Sequence, residues 1–168
     1  MSNDWMTGGH RPRRGIDVMQ VCENGHKVTD QVGAHPERAA PFCDKCGGAT
    51  TTSCAYCGNP IPGFNHDNPA LRLGPPKNCR QCGSAFPWRQ AAIANAIGVL
   101  EELGLEEADM TTAKEAVPEL IGETPKVELA VLRLRRVLSK LGKPAYDVGI
   151  KVISDLASET IKKALLRP

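Results

Sequence analysis

Four close pairs of metal-ligating residues, a change of composition at residue 86 and apolar stripes at helical spacing beyond it predict a small, metal-stabilised α+β protein. The expected architecture is two tandem zinc ribbons followed by a short helical bundle. The pairs are Cys22/His26, Cys43/Cys46, Cys54/Cys57 and Cys79/Cys82, and they use all seven cysteines of the 168-residue chain. Eight ligands complete two tetrahedral zinc sites with none left over, whereas an odd number of cysteines suits a disulfide framework poorly.

Two residues between cysteines let one tight turn aim both sulfurs at a single ion about 2.3 Å away. Glycine follows three of the pairs directly, as Cys46-Gly47, Cys57-Gly58 and Cys82-Gly83. It is expected at positive φ, so that backbone N–H groups point back at the thiolates. In the first pair Gly25 supplies the bend and His26 replaces the second sulfur with an imidazole. Two pairings are open. Sequential pairing makes one site of Cys22, His26, Cys43 and Cys46 and another of Cys54, Cys57, Cys79 and Cys82. A cross-brace instead joins the first pair to the third and the second to the fourth. The seven residues 47–53 between the second and third pairs leave room for one ribbon to end and another to begin, which favours the sequential arrangement.

Three other histidines fall in loops or tail: His35 before Pro36, His66 in a Pro/Gly/Asn-rich stretch, and His10 near the start. Surface positions suit them, because the eight-ligand count is already closed. A catalytic zinc keeps an open position, normally three protein ligands plus water, so two closed sets point to a structural role. No Ser/His/Asp set, phosphate loop or carboxylate pair stands out, no catalytic residue is assigned, and the chain is not expected to be an enzyme.

Composition divides the chain into a leader (residues 1–16), a double ribbon (17–86) and a helical domain (87–168). With three Phe, two Tyr and two Trp in all, the ribbon half has little from which to build a core. Metal, on the order of 10–16 kcal/mol per structural site in peptides, is expected to stand in for it. Seven thiols, no apolar stretch approaching 18 residues and no signal-like run in residues 1–15 point to the reducing cytoplasm and away from membranes. The formal charge of +2 misleads, since two zinc ions bring four positive charges and seven thiolates seven negative, leaving −1. Arg11, Arg13 and Arg14 cluster in the leader beside Gly8, Gly9 and Pro12, and read as a solvated tail.

Beyond Phe86-Pro87-Trp88 the composition turns to Ala, Leu, Glu and Lys. Pro87 suits an opening turn and Trp88 a packing role. Residues 89–103 carry a stripe of Ala92, Ile93, Ala96, Ile97, Leu100 and Leu103, with Gly104 at the stop. Residues 106–121 form the weakest expected helix, because Thr111 and Thr112 are poor formers and Pro118 can break it. Thr124-Pro125 caps the next, whose stripe runs through Val127, Ala130, Val131, Leu134, Val137, Leu138 and Leu141 to Gly142. The last helix is expected over 145–166, with Tyr146, Ile150, Ile153, Ala157, Ile161 and Ala164 on one side. Arg133, Arg136, Lys140 and Lys143 make a basic face that reads as solvated, because residues 87–168 balance 12 basic against 12 acidic side chains.

The runs Val18–His26, Phe42–Gly47, Cys54–Cys57 and Cys79–Gly83 leading into Phe86-Pro87-Trp88 resemble a bacterial family of uncharacterised proteins, catalogued as a domain of unknown function. The segment from Thr124-Pro125 to Leu141 is similar to that family's tail, so the resemblance spans about residues 17–166. It implies a double zinc ribbon followed by helices, and no activity.

The leading expectation is therefore a non-catalytic interaction or adaptor module. It engages a protein partner, or a second copy of itself, through the last helix, where Val148, Val152 and Leu156 are spaced four apart. The alternative is a nucleic-acid-binding ribbon protein using the arginine leader, Lys77, Arg80, Arg89 and exposed aromatics.

Overall fold

The computed structural model describes residues 15–122, 124–157 and 161–163. The chain divides after Phe86 into two compact units.

The first unit is made of short strands and tight turns. Strands β1 (Ile16–Val18) and β2 (Gln20–Cys22) are separated only by Met19. β2 pairs antiparallel with β3 (Lys27–Thr29) and with β4 (Thr50–Thr51), in the order β3-β2-β4. β1 instead pairs antiparallel with β5 (Pro62–Asn65), which lies after the third ligand pair. One extended segment thus serves two sheets. The transfer happens at Met19, whose N–H donates to Ile61 O (2.8 Å), while Ile61 N–H donates to Thr52 O (2.9 Å). Met19, Val21 and Ile61 are fully buried at this junction. Strands are woven across the two halves of the unit, a connection that the picture of one ribbon ending before the next begins does not contain.

Two polar side chains of this segment hold loops in place. The Gln20 amide donates to Ala40 O (2.9 Å) and accepts from Ala40 N–H (3.0 Å), imitating a strand partner for the chain entering the second ligand pair. Buried Asp17 accepts N–H bonds from Gly33 (2.7 Å) and Ala34 (3.0 Å) and lies 3.1 Å from His66 Nε2. Burial raises its pKa, but the N–H of Val18, the His66 side chain and the N–H groups of Gly33 and Ala34 together outweigh that and hold it below the usual carboxylate value.

The second unit is four helices: α1 (Pro87–Glu102), α2 (Glu107–Gly122), α3 (Val127–Leu138) and α4 (Lys143–Leu156). α2 packs against α1 and α3, and α4 also packs against α1 and α3. The core takes Ala96 and Leu100 from α1, Ala113, Val117 and Leu120 from α2, Leu134 and Leu138 from α3, and Ile150 and Ile153 from α4. α1 opens at Pro87 and stops at Gly104, whose φ is +75°. Trp88 is buried.

The bounds of α3 and α4 are corrected here, whereas α2 forms where a helix is expected: it continues past Pro118 and buries seven residues, so packing outweighs its weak local propensity. The hydroxyls of Thr111 and Thr112 donate to Glu107 O and Ala108 O, one turn back. α3 begins at Val127; Thr124 does accept the Lys126 N–H on its hydroxyl (3.2 Å), but as a turn preceding the regular helix. Its end loosens at Ser139, and Gly142 proves to be the extended residue that starts α4. α4 stops at Leu156 because Ala157 is extended (φ −88°, ψ 157°), so one helix over 145–166 is not formed. Among the described residues no helix is long and apolar enough to cross a membrane.

Candidate metal centres

All eight expected ligands converge, in sequential sets. Cys22, His26, Cys43 and Cys46 form one group, and Cys54, Cys57, Cys79 and Cys82 the other, with ligand atoms within 4.8 Å of one another in each. The cross-braced pairing is therefore absent. In the second centre Cys54 and Cys82 sulfurs are 3.8 Å apart and Cys57 and Cys79 3.6 Å. In the first, Cys22 and Cys46 are 3.8 Å apart, and His26 presents Nδ1 at 3.6 Å from Cys22 and 3.7 Å from Cys43. Disulfide sulfurs lie about 2.05 Å apart, so these are free thiols brought together without bonding.

The ligand turns repeat one geometry. Cys43, Cys54 and Cys79 each donate their N–H to the carbonyl five residues on, at Gly48, Asn59 and Ser84 (2.8–2.9 Å). Gly47, Gly58 and Gly83, at φ of 71°, 70° and 75°, return an N–H to the same cysteine's carbonyl at 2.8 Å. Isolated bridges Phe42↔Ala49, Ser53↔Pro60 and Asn78↔Ala85 close each turn into a hairpin. The first pair is a variant at the β2–β3 hairpin, where Gly25 (φ 86°) donates to Cys22 O. The expectation for the glycines is met, and the N–H groups that reach the thiolates are those of the residues after them, Gly48, Asn59 and Ser84. The glycines' own N–H groups serve the cysteine carbonyls.

The thiols within each set are held at opposed ionisation tendencies. The Asn24 side chain, 3.4 Å from Cys46 Sγ, and the Gly48 N–H bring Cys46 down to about 6. Ser84, through its hydroxyl and then its N–H, brings Cys82 down to about 6. At Cys57 the Asn59 N–H acts downward, but desolvation and the sulfurs of Cys82, Cys79 and Cys54 push it up to about 12. Desolvation also raises Cys22 against the N–H bonds of His26 and Asn24. Four thiolates this close repel one another, and a cation between them is what allows all to ionise. Both groups are positioned to hold a metal ion.

The remaining histidines stand apart: His35 Nδ1 is 3.0 Å from Glu37, and His66 is taken by Asp17. His10 and the three leader arginines lie outside the described residues. Arg89 lies along the end of α2, close enough that a Cβ on Gly122 would be 2.7 Å from its Nη2. Of the basic face, Lys140 holds both oxygens of Asp109 (2.7 and 2.8 Å) and Arg133 is 3.7 Å from Glu115. Val148 is exposed, Val152 packs partly on the core, and the Leu156 side chain lies outside the described residues. Reading ligand spacing misses Asn24, Ser84, Asp17 and Gln20. Asn24 and Ser84, beside the ligands, had a local signal; Asp17 and Gln20 had none, since their partners lie up to 49 residues away.

A model described as "Uncharacterized protein conserved in bacteria (DUF2321)" matches residues 16–165. The chain belongs to that family. The matched span covers both candidate centres and all of the described helical unit. No curated protein and no solved structure matches the chain.

Proposed function

We propose that this DUF2321 protein is a non-catalytic, zinc-binding interaction module of the bacterial cytoplasm, built on two zinc ribbons and engaging a protein partner. The observation that carries the reading is the ligand geometry. Tetrahedral zinc with bonds of about 2.3 Å to sulfur and about 2.05 Å to nitrogen sets ligand edges of about 3.8 Å for S···S and about 3.6 Å for S···N. The two centres have S···S edges of 3.6 and 3.8 Å and S···N edges of 3.6 and 3.7 Å. Thiolate and imidazole donors in a tetrahedral set suit zinc. Four protein ligands per ion leave no position for water or substrate, which favours a structural role. Bound there, zinc would fix pairs of hairpins and present their exposed aromatics, Tyr56 (75% exposed) at a tip and Phe42 (63%) at the base of another. Exposed aromatics on rigid loops suit a protein surface. A nucleic-acid role is less favoured, because residues 15–86 carry six basic and six acidic side chains before any thiolate ionises.

Elemental analysis of the purified chain tests the metal reading, with two zinc ions per chain expected and one or none contradicting it. Affinity purification from a native cell, with and without nuclease, tests the partner reading. Capture that survives nuclease supports a protein partner, and capture lost with nuclease moves the reading to nucleic acid.

A further inference from the structure

We infer that this chain pairs with a second copy of itself across the groove between α2 and α3. The groove encloses about 280 Å³, with Ala116 and Ala130 in its lining and walls of opposite charge. Glu115 and Glu119 come from α2, and Lys126 and Arg133 from α3. Leu129, 47% exposed, sits on the α3 wall, and Leu132, 64% exposed, follows one turn along the same helix. The buried stripe of α3 is Ala130, Val131, Leu134, Val137 and Leu138, so Leu129 and Leu132 form a second apolar edge that the bundle does not use.

The charge arrangement says what covers that edge. A face with an acidic row on one helix and a basic row on its neighbour becomes complementary to itself after a two-fold rotation. An axis through the groove, between α2 and α3, sets each copy's acidic α2 wall against the other copy's basic α3 wall and brings the two Leu129 side chains toward the seam. A phosphate backbone would have no use for the glutamates, nor a uniformly basic peptide for the arginine and lysine. The Arg133–Glu115 pair within one copy is long (3.7 Å) and exposed on both sides, so exchanging it for a pair between copies costs little. This inference concerns the helical unit and is independent of the metal reading.

Sedimentation of the full-length, zinc-loaded chain over a range of micromolar concentrations is the test. A concentration-dependent dimer weakened by salt is expected. Leu129→Glu should weaken it about tenfold or more with the helical circular-dichroism signal and melting temperature unchanged. Arg133→Glu should weaken it too, and adding Glu115→Arg in the same chain should restore it. Val148→Glu, on α4, should leave it intact. A wild type that stays monomeric overturns the inference, even where it captures a different protein. So does a dimer that Val148→Glu breaks and Leu129→Glu does not.

Discussion

A methyl group added at Gly63 tests the woven strands directly. A Cβ there would lie 2.3 Å from Asp30 O, 2.8 Å from Met19 N and 2.8 Å from Val18 C, distances that real Cβ atoms essentially never show. All three are backbone atoms, so no side chain can swing away. They are also tied down: Asp30 O accepts Phe64 N–H (2.7 Å), Met19 N–H donates to Ile61 O (2.8 Å), and Val18 O accepts Val32 N–H (3.0 Å). Overpacking costs about 1–3 kcal/mol, and a buried hydrogen bond left unmade about 1–3 kcal/mol more, so Gly63→Ala should cost on the order of 3 kcal/mol. In a unit of this size that is a fall in melting temperature on the order of 15 °C. Gly149→Ala makes the internal comparison. Its Cβ would approach Leu138 Cδ2 at 2.7 Å and Leu103 Cδ1 at 3.3 Å, both ends of flexible side chains. Rotamer adjustment there costs about 1 kcal/mol, and replacing a helical glycine by alanine returns about 1 kcal/mol, so the net change is near zero. Zinc release to a chromophoric chelator reports the first unit, and the helical circular-dichroism signal reports the second. Gly63→Ala should speed zinc release and leave the helical melt unchanged. If Gly63→Ala retained zinc and melted like wild type, the β1–β5 approach would be wider than described and the interweaving wrong.

Cys79→Ser should lose the second ion and the hairpins around it while the helical signal persists, because the second unit has its own core and holds no ligand. Chelation should do the same to both centres, and collapse of the helical signal on chelation would contradict two separate units. Asp17→Asn removes the charge that Val18, Gly33, Ala34 and His66 surround, and should cost about 2 kcal/mol at neutral pH, read by chemical denaturation. The sign follows from a folded pKa below the ordinary 3.8: the carboxylate's contribution is complete above that value and is lost as pH falls through the lower folded one. A substitution without effect at neutral pH would show that the loop at Gly33 and Ala34 is held by other contacts.

Both centres were legible from spacing because each ligand pair is local. Two residues between cysteines followed by glycine constrain one turn, and sequential grouping followed from the room between the second and third pairs. Helix existence was legible for the same reason: Leu100, Leu134 and Ile153 fall on stripes within single segments and are all in the core. What sequence did not disclose depends on distant partners. Nothing near β1 announces that it skips β2 to pair with β5, 44 or more residues on. Gly63 looks like any loop glycine until Asp30 and Val18 are brought against it. Pro118 and Ala157 show local propensity overridden in opposite directions. A buried surface carried α2 through a proline, whereas α4 stopped at a residue of high helix propensity.

Interweaving accounts for where the few apolar side chains of the first unit are placed. An ion bound by four ligands fixes two hairpins to each other but reaches no farther than its own turns. The hairpins of the first centre are joined by β2, which pairs with β3 and β4; those of the second begin after Thr52, whose carbonyl accepts Ile61 N–H. Ile61 in turn accepts Met19 N–H, and Met19 adjoins β2, so a ring of backbone bonds connects the two centres. Backbone groups withdrawn from water are costly unless paired, and pairing alone does not exclude water. Met19, Val21 and Ile61, all fully buried at the junction, supply that exclusion. A metal ion held at each centre would therefore stand in for a core there, while buried side chains build one at the junction. The second unit shows the complement, with no ligands and an apolar stripe on every helix.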